Sequence, residues 1–305
     1  MFEKIVLVTR KTRLEGLVER FNSRGQAKFA IERSGGNFAD YQREDDAYRR
    51  SLDAVRRGLD LGLKRMEAER ALVPTLLFTE QDVVVTVGQD GLVANTAKYV
   101  GEQPLVGVNP DPERFDGVLL PFGPEQARGA VRSVLDGKAR YRRVTLAEAA
   151  LADGQRLLAF NDLFVGARTH VSARYRISFA GRSEPQSSSG VLVSTGAGST
   201  GWLSSVFAMA DAVSRLGGGT GGRPLRLEWE DPRLVFVVRE PFASRHSRTG
   251  LAAGTVEPGQ ELVLESQMPQ GGVVFSDGVE QDALEFNAGA VARIRAAARR
   301  TRLVA

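Results

Sequence analysis

The sequence predicts two domains: a doubly wound α/β domain over residues 1–138 and a mostly-β domain over residues 139–287, with the tail 288–305 free to return to the first. Three observations predict this. Up to Lys138, runs of β-branched residues alternate with apolar residues at helical spacing, the pattern of parallel strands linked by helices. Beyond Lys138 the texture changes to short β-rich segments punctuated by Gly, Pro and Ser. Finally, 305 residues exceed the size at which a single core usually stops growing.

Residues 5–8 read as a first buried strand. Residues 10–40 are polar and irregular, broken at Ser34-Gly35-Gly36-Asn37, and only 27–32 reads as a short strand. Residues 45–63 are predicted helical, because Tyr48, Leu52, Val55 and Leu59 recur three and four apart. A strand, tight turn and helix start follow over 82–95, then a short strand at 105–108 and a loop in which Pro110 and Pro112 forbid helix. A short apolar segment at 119–122 precedes a helix opened by Pro124 and stopped by Gly137. The second domain offers strands near 143–146, 157–160, 173–179, 191–194, 234–238, 261–264 and 273–275, interrupted by one helix from Trp202 to about Leu216. The run Gly217-Gly218-Gly219-Thr220-Gly221-Gly222 after that helix reads as a linker or loop.

With 42% hydrophobic and 26% charged residues the chain belongs to the soluble globular class. No cysteine is present, which excludes disulfides, thiolate zinc sites and thiol catalysis and suits a reducing compartment. The opening MFEKIVLVTRKTR has too short an apolar run for a signal peptide, and no stretch reaches membrane-spanning length, so a cytoplasmic location and no membrane partner are expected. Net charge is only +4, and although arginines cluster at 140–143 and 293–302, acids are spread throughout and aromatics are few. Nucleic acid is therefore not expected as a partner, whereas anionic small molecules are.

The segment DVVVTVGQDGLVAN, residues 82–95, carries the first candidate chemistry. A turn between a buried strand and a helix N-terminus presents backbone N–H groups and the positive helix end to one spot, where phosphate is favoured. Asp90 lies in that turn, and a carboxylate beside bound phosphates either holds Mg²⁺ or takes the proton of an attacking hydroxyl. The bland alternative is an ordinary Asp/Gly turn.

A second glycine cluster, Ser194-Thr195-Gly196-Ala197-Gly198-Ser199-Thr200-Gly201, admits three readings. Gly196, Gly198 and Gly201 satisfy G-x-G-x-x-G, but the acid a dinucleotide fingerprint needs about twenty residues on falls in the glycine run, which argues against a hydride-transfer enzyme. Ser199 approximates the nucleophile of a serine hydrolase, with Asp231 and His246 following in order, although the motif's first glycine is missing. The third reading is a phosphate or ribose cradle, set against a small-residue turn required only by packing. The motif leaves the last two open.

Taken in order, the blocks resemble the NAD kinases, most closely the mitochondrial-type branch. Gly88-Gln89-Asp90-Gly91 stands where that family carries G-G-D-G, and Val106-Gly107-Val108-Asn109-Pro110-Asp111-Pro112-Glu113-Arg114 is similar to V/I-G-V-N-x-D-P-E-R. Phe160-Asn161-Asp162 resembles the L-N-E block, and Ser188-Ser189-Gly190 through Ser199 to Trp202 resembles S-S-G…T-G-x-G-S…W. Arg239-Glu240-Pro241-Phe242-Ala243-Ser244-Arg245 is similar to R-E-P-I-A-N-R, and Asp277-Gly278 with Phe286-Asn287-Ala288-Gly289-Ala290 to D-G…F-N-D-G-A.

The resemblance implies an N-terminal α/β domain and a sandwich-like C-terminal domain with the active site in the cleft between them. It implies transfer of the γ-phosphoryl group of ATP, with Mg²⁺ or another divalent cation, to the adenosine 2′-hydroxyl of NAD(H), and ATP or polyphosphate as donor. Asp90 then aligns with the catalytic aspartate, and Gly88 and Gly91 with the glycines lining the phosphates. Asn161 and Asp162 align with the NAD-binding pair, and Ser189, Ser199, Thr200, Trp202 and Ser205 fall in segments that contact the dinucleotide. No set of protein metal ligands is expected, and a homodimer or larger homo-oligomer is. Four departures stand out: Gln89 replaces a glycine, Leu92 replaces the usual Thr, Asp162 shortens the usual Glu, and Ser189 stands where many bacterial members have aspartate. A glycine at position 89 at positive φ would make Gln89 strained, and Asn95, one turn into the helix, is the residue placed to substitute as a polar ligand. The competing expectation is a catalytically silent NAD-binding regulatory protein.

Overall fold

The computed structural model of the chain describes residues 2–222 and 225–305. The chain divides into two compact units, residues 1–142 with 302–305, and residues 143–301.

In the first unit, β1 (Lys4–Thr9), β2 (Lys64–Glu69), β3 (Asp82–Val87) and β4 (Pro104–Val108) pair in parallel in the order β2-β1-β3-β4. Arg302 and Leu303, near the C-terminus, add a further parallel pairing to Pro104 and Leu105. All six residues of β3 are buried, which is why its sequence is a continuous β-branched run rather than an alternating one. Helices α1 (Arg13–Phe21), α2 (Arg24–Arg33), α3 (Phe38–Gly58), α4 (Asp90–Ala97) and α5 (Ala127–Leu135) complete the unit. Tyr48, Leu52 and Val55 of α3 and Val131 and Val134 of α5 join Ile5, Leu7, Val83 and Val85 in one core. Strand β2 lies on one side of β1 while β3 and β4 extend the other. The winding therefore reverses between β1 and β3, and in open sheets ligands bind beyond the strand C-termini at such a point.

Three local expectations fail here. Residues 27–32 are not a strand but the body of α2, capped by Ser23, whose Oγ accepts the Gln26 N–H at 3.2 Å. Ala27 and Ile31, four apart, are its buried face, and that spacing serves a helix. The region read as irregular also holds α1, opened by a capping box in which Thr12 Oγ1 accepts the Glu15 N–H and Glu15 accepts the Thr12 N–H at 2.8 Å. Helix α3 starts at Phe38, because Asn37 Oδ1 accepts the Ala39 N–H at 2.9 Å, and ends at Gly58 rather than 63. Residues 119–122 contribute a single bridge, Val108 to Phe122.

The second unit carries the strands β5 (Tyr141–Leu151), β6 (Arg156–Ala159), β7 (Asp162–Ala167), β8 (Ala173–Phe179), β9 (Arg182–Ser188) and β10 (Val191–Ser194) before helix α6 (Trp202–Leu216). After α6 come β11 (Leu234–Val238), β12 (Ala253–Val256), β13 (Leu262–Ser266), β14 (Gly272–Ser276), β15 (Val279–Glu285) and β16 (Val291–Val304). One sheet runs β12-β11-β10-β7-β14-β15, with its interior pairings antiparallel. The other joins β16, β13, β8 and β9, with the β5–β6 hairpin attached through β16. Leu163, Val165, Val193 and Phe236 from the first sheet and Tyr175, Ile177, Leu262 and Ile294 from the second share one buried core, so the unit is a sandwich.

The strands missed in the sequence include β2, β9, β12 and β15. Each ends the strand order of a sheet. An edge strand is half solvated and favours charge, Pro or Gly, so KRMEAE, RSEPQSS, AGTV and VEQDALE carry no apolar run to read.

Candidate active site

The turn after β3 is built by backbone needs. Gly88 is buried, and a Cβ on it would meet Leu92 Cδ2 at 2.8 Å and Arg10 Cδ at 3.4 Å. Gly91 faces open space, with nothing within 4 Å of a Cβ placed there. Gln89 is the N-cap residue of α4 with φ −109° and ψ 166°, an extended conformation any residue adopts, and it is exposed. The departure from glycine at this position therefore carries no backbone strain. No side chain caps α4, so beyond the Leu92 N–H, turned on the Gln89 carbonyl at 2.8 Å, its first turn keeps the anion-attracting character of a helix N-terminus.

Asp90 opens α4, and its carboxylate is held by a distant loop. Oδ1 accepts the Leu119 N–H at 2.8 Å and Oδ2 the Val118 N–H at 3.3 Å. That loop is shaped by buried Asn109, whose Oδ1 accepts the Asp111 N–H at 3.0 Å and whose Nδ2 donates to the Phe115 carbonyl at 2.8 Å. It rests so closely on β4 that a Cβ on Gly107 would lie 2.2 Å from the Leu119 oxygen. Each carboxylate oxygen keeps a second lone pair, so Asp90 is fixed in orientation yet still able to accept a proton. Tyr48 clasps the strand ends beside it: its hydroxyl accepts the Arg10 N–H at 2.9 Å and donates to the Val87 carbonyl at 3.1 Å. Asn95 is not at the turn surface. It is buried, donates Nδ2 to the Gly91 carbonyl at 2.7 Å, and leaves its Oδ1 without a partner.

In the second unit Asp277, at φ 52°, gathers three consecutive backbone donors: Phe160 N–H at 2.9 Å, Asn161 N–H at 2.6 Å and Asp162 N–H at 3.3 Å. This fixes the mouth of β7, leaving Asn161 half-buried and Asp162 buried. Asp162 Oδ1 has no hydrogen-bond partner. Burial above all, with the nearby Asp277 charge adding and Ser194 partly opposing, pushes the Asp162 carboxyl up to about 7. The glycine cluster is packed against the same point. A Cβ on Gly198 would lie 2.3 Å from the Asn161 oxygen and one on Gly196 1.8 Å from the Glu228 oxygen. Thr195 ties the two together, donating Oγ1 to the Phe160 carbonyl at 2.6 Å and its N–H to the Asn161 carbonyl at 2.9 Å.

Ser199 is fully buried and spends its hydroxyl on the backbone, donating toward the Gly196 carbonyl at 2.7 Å and accepting the Leu227 N–H at 3.3 Å. Thr200 and Ser205 are exposed at the start of α6, and Ser189 is exposed before Gly190. Trp202 stacks on Phe164, ring centroids 5.7 Å apart and 14° from parallel, and the Arg239 guanidinium lies 5.4 Å from its ring centre. The hydrolase constellation is not assembled: Asp231 bonds Arg233 at 2.6 Å, His246 is exposed, and neither meets the buried Ser199 hydroxyl.

Sequence reasoning missed Tyr48 as a clasp, the amides of Val118 and Leu119, Phe164 beneath Trp202, and the reach of Asp277 to residues 160–162. For Asp277 a signal existed, the Asp-Gly pair of a tight turn. The others are long-range contacts with no local signature. Among the described residues no group of three or more His, Cys, Asp or Glu could hold a metal ion. No helix among them is long and apolar enough to cross a membrane.

No protein-family model matches the chain. No curated protein matches it either. Among solved structures, yeast NADH kinase complexed with NADH is similar over 100% of this chain and 84% of that one, with a TM-score of 0.56 at 16% identity. An NAD kinase from Archaeoglobus fulgidus in complex with ATP is similar over 99% of this chain and 93% of that one, with a TM-score of 0.54 at 18% identity. Over its whole length, then, this chain has the fold seen in NAD and NADH kinases.

Proposed function

We propose that the protein transfers the γ-phosphoryl group of ATP to the adenosine 2′-hydroxyl of NAD or NADH. The observation that carries this reading is Asp90, a carboxylate clamped by two amides at the winding reversal of a fold shared along the whole chain with NAD(H) kinases. The 2′-oxygen attacks the terminal phosphorus, the bond from that phosphorus to the bridging oxygen breaks, ADP leaves, and the hydroxyl proton passes to Asp90. A secondary hydroxyl is a poor nucleophile near neutrality, so a fixed acceptor is worth on the order of 10²–10⁴ in rate. The uncapped start of α4 and the open backbone at Gly91 suit the donor phosphates.

Within the second unit, Asn161 and Asp162 offer polar edges suited to a dinucleotide, and the Trp202–Phe164 stack an aromatic surface. Gly196, Gly198 and Ser199 shape that wall through packing and backbone bonds. A lone carboxylate is a poor fit to a metal site made by the protein, so a divalent cation would be held by the donor's phosphates and would offset their charge.

The test is production of NADP or NADPH from NAD or NADH with Mg²⁺ and ATP. Wild type is expected to turn over, and Asp90→Asn to lose 10²–10⁴-fold in kcat, on the order given above, with little change in the KM for NAD. No product from wild type, despite tight NAD binding, would refute the kinase and leave a binding protein.

A further inference from the structure

Resting on the kinase reading, we propose that Arg10, Arg13 and Arg114 form the subsite for the phosphate chain of the donor. All three guanidinium groups converge on one buried carboxylate, Glu44, at 3.4 Å, 2.5 Å and 3.9 Å. Three cations on one anion leave an excess of two positive charges. A buried carboxylate needs a good cationic partner. Arg13 is that partner: Oε2 takes its Nε at 2.7 Å and its Nη2 at 2.5 Å, while Oε1 takes only the long Arg10 Nη2 contact at 3.4 Å. Arg10 and Arg114 are therefore held close to, but not consumed by, Glu44.

The cluster sits where a donor is needed. Arg10 follows β1 at the winding reversal, and its Cδ would touch a Cβ on Gly88. Its Nε is buried with no hydrogen-bond partner, and the group is pinned by Tyr48, whose ring centre is 5.1 Å from the guanidinium carbon. Arg114 belongs to the loop whose Val118 and Leu119 amides hold Asp90. Glu44 thus sets the arginines in position before ligand arrives, which lowers the ordering cost of binding. Planar forks of this kind recognise phosphate oxygens in pairs. Arg10 also lines a cavity of ≈ 710 Å³, but there Lys11, Arg49 and Arg56 are already paired with Glu19, Glu15 and Glu67, so no comparable excess of charge faces it.

The test is binding of inorganic tripolyphosphate and of ATP to the full chain by calorimetry, which needs no turnover. Arg114 is half-exposed, Arg10→Lys keeps a charge beside Glu44, and both changes leave Arg13 on that carboxylate, so the Arg10→Lys/Arg114→Ala double variant is expected to keep its wild-type melting curve. Its tripolyphosphate affinity should fall on the order of tenfold or more, while Arg49→Ala, which removes one positive charge from the neighbouring α3 surface, should leave it unchanged. A parallel fall for ATP assigns the subsite to a nucleotide donor, and a fall for tripolyphosphate alone to an inorganic chain. Equal affinity in the double variant and wild type, or no tripolyphosphate binding by wild type, overturns the proposal. If the fall is seen but NAD is never phosphorylated, the subsite stands and the kinase reading fails. If the double variant melts early, Arg10→Lys alone, which keeps charge but loses the fork, provides the same comparison.

Discussion

Replacing Asp162 with asparagine should change how stability depends on pH, and the sign follows from burial. The carboxyl is buried, its Oδ1 has no hydrogen-bond partner, and its pKa is pushed from the ordinary 3.8 up to about 7. A group whose folded-state pKa lies above its unfolded value holds its proton more tightly when folded. It contributes stability below pH 3.8, and that contribution is lost as pH rises towards 7. At roughly 1.4 kcal/mol per pH unit of separation, the whole window is worth about 4 kcal/mol, and the part between pH 5 and 8 about 3 kcal/mol. Against a total stability of about 5–15 kcal/mol this is a large fraction. Urea unfolding of wild type and Asp162→Asn across pH 5 to 8 reads it directly. The stability of wild type relative to the variant should fall by about 3 kcal/mol over that range and then level off. A difference that stays constant within about 1 kcal/mol would show that Asp162 is ionised or solvated when folded, and the argument from burial would be wrong.

Further outcomes are expected in the first unit. Gly107→Ala would place a Cβ 2.2 Å from the Leu119 oxygen, so the loop must move and its amides leave Asp90. Overpacking of this kind costs about 1–3 kcal/mol, and both the melting temperature and turnover should drop, whereas turnover at the wild-type level would show that the clamp on Asp90 is dispensable. Gln89→Gly should leave stability within about 0.5 kcal/mol and activity near wild type, because residue 89 is extended and exposed. A large gain in activity would instead mark the Gln89 side chain as an obstacle to the donor.

Much of this molecule could be read from its residues in order. The β-branched run before Gly88, the Tyr48–Leu52–Val55 spacing of α3 and the apolar segments of β8, β10 and β11 each announce an element, because buried faces impose a period on sequence. Asp90 and the glycine cluster at 196–201 were visible as candidates for the same reason: turns and helix starts have local chemistry. The caps at residues 12–15 and 23–26 were missed, because their polar surroundings hid the helices they open. Edge strands were not, since solvent on one side removes the demand for an apolar run.

What the order of residues determined, then, was the alternation of strands and helices, the change to β texture after Lys138, and which turns carry an acid or a run of glycines. Only the tertiary structure decided what holds those turns. Asp90 is oriented by amides 28 and 29 positions later, and the backbone at 160–162 is gathered by a carboxylate more than a hundred positions away. It also decided that Gln89 is unstrained, that the Ser199 hydroxyl is spent on backbone, and that three arginines share Glu44. The physical reason is the same in each case: backbone donors and acceptors are identical at every position, so which of them meets a given side chain is fixed by strand order and loop packing, not by local composition.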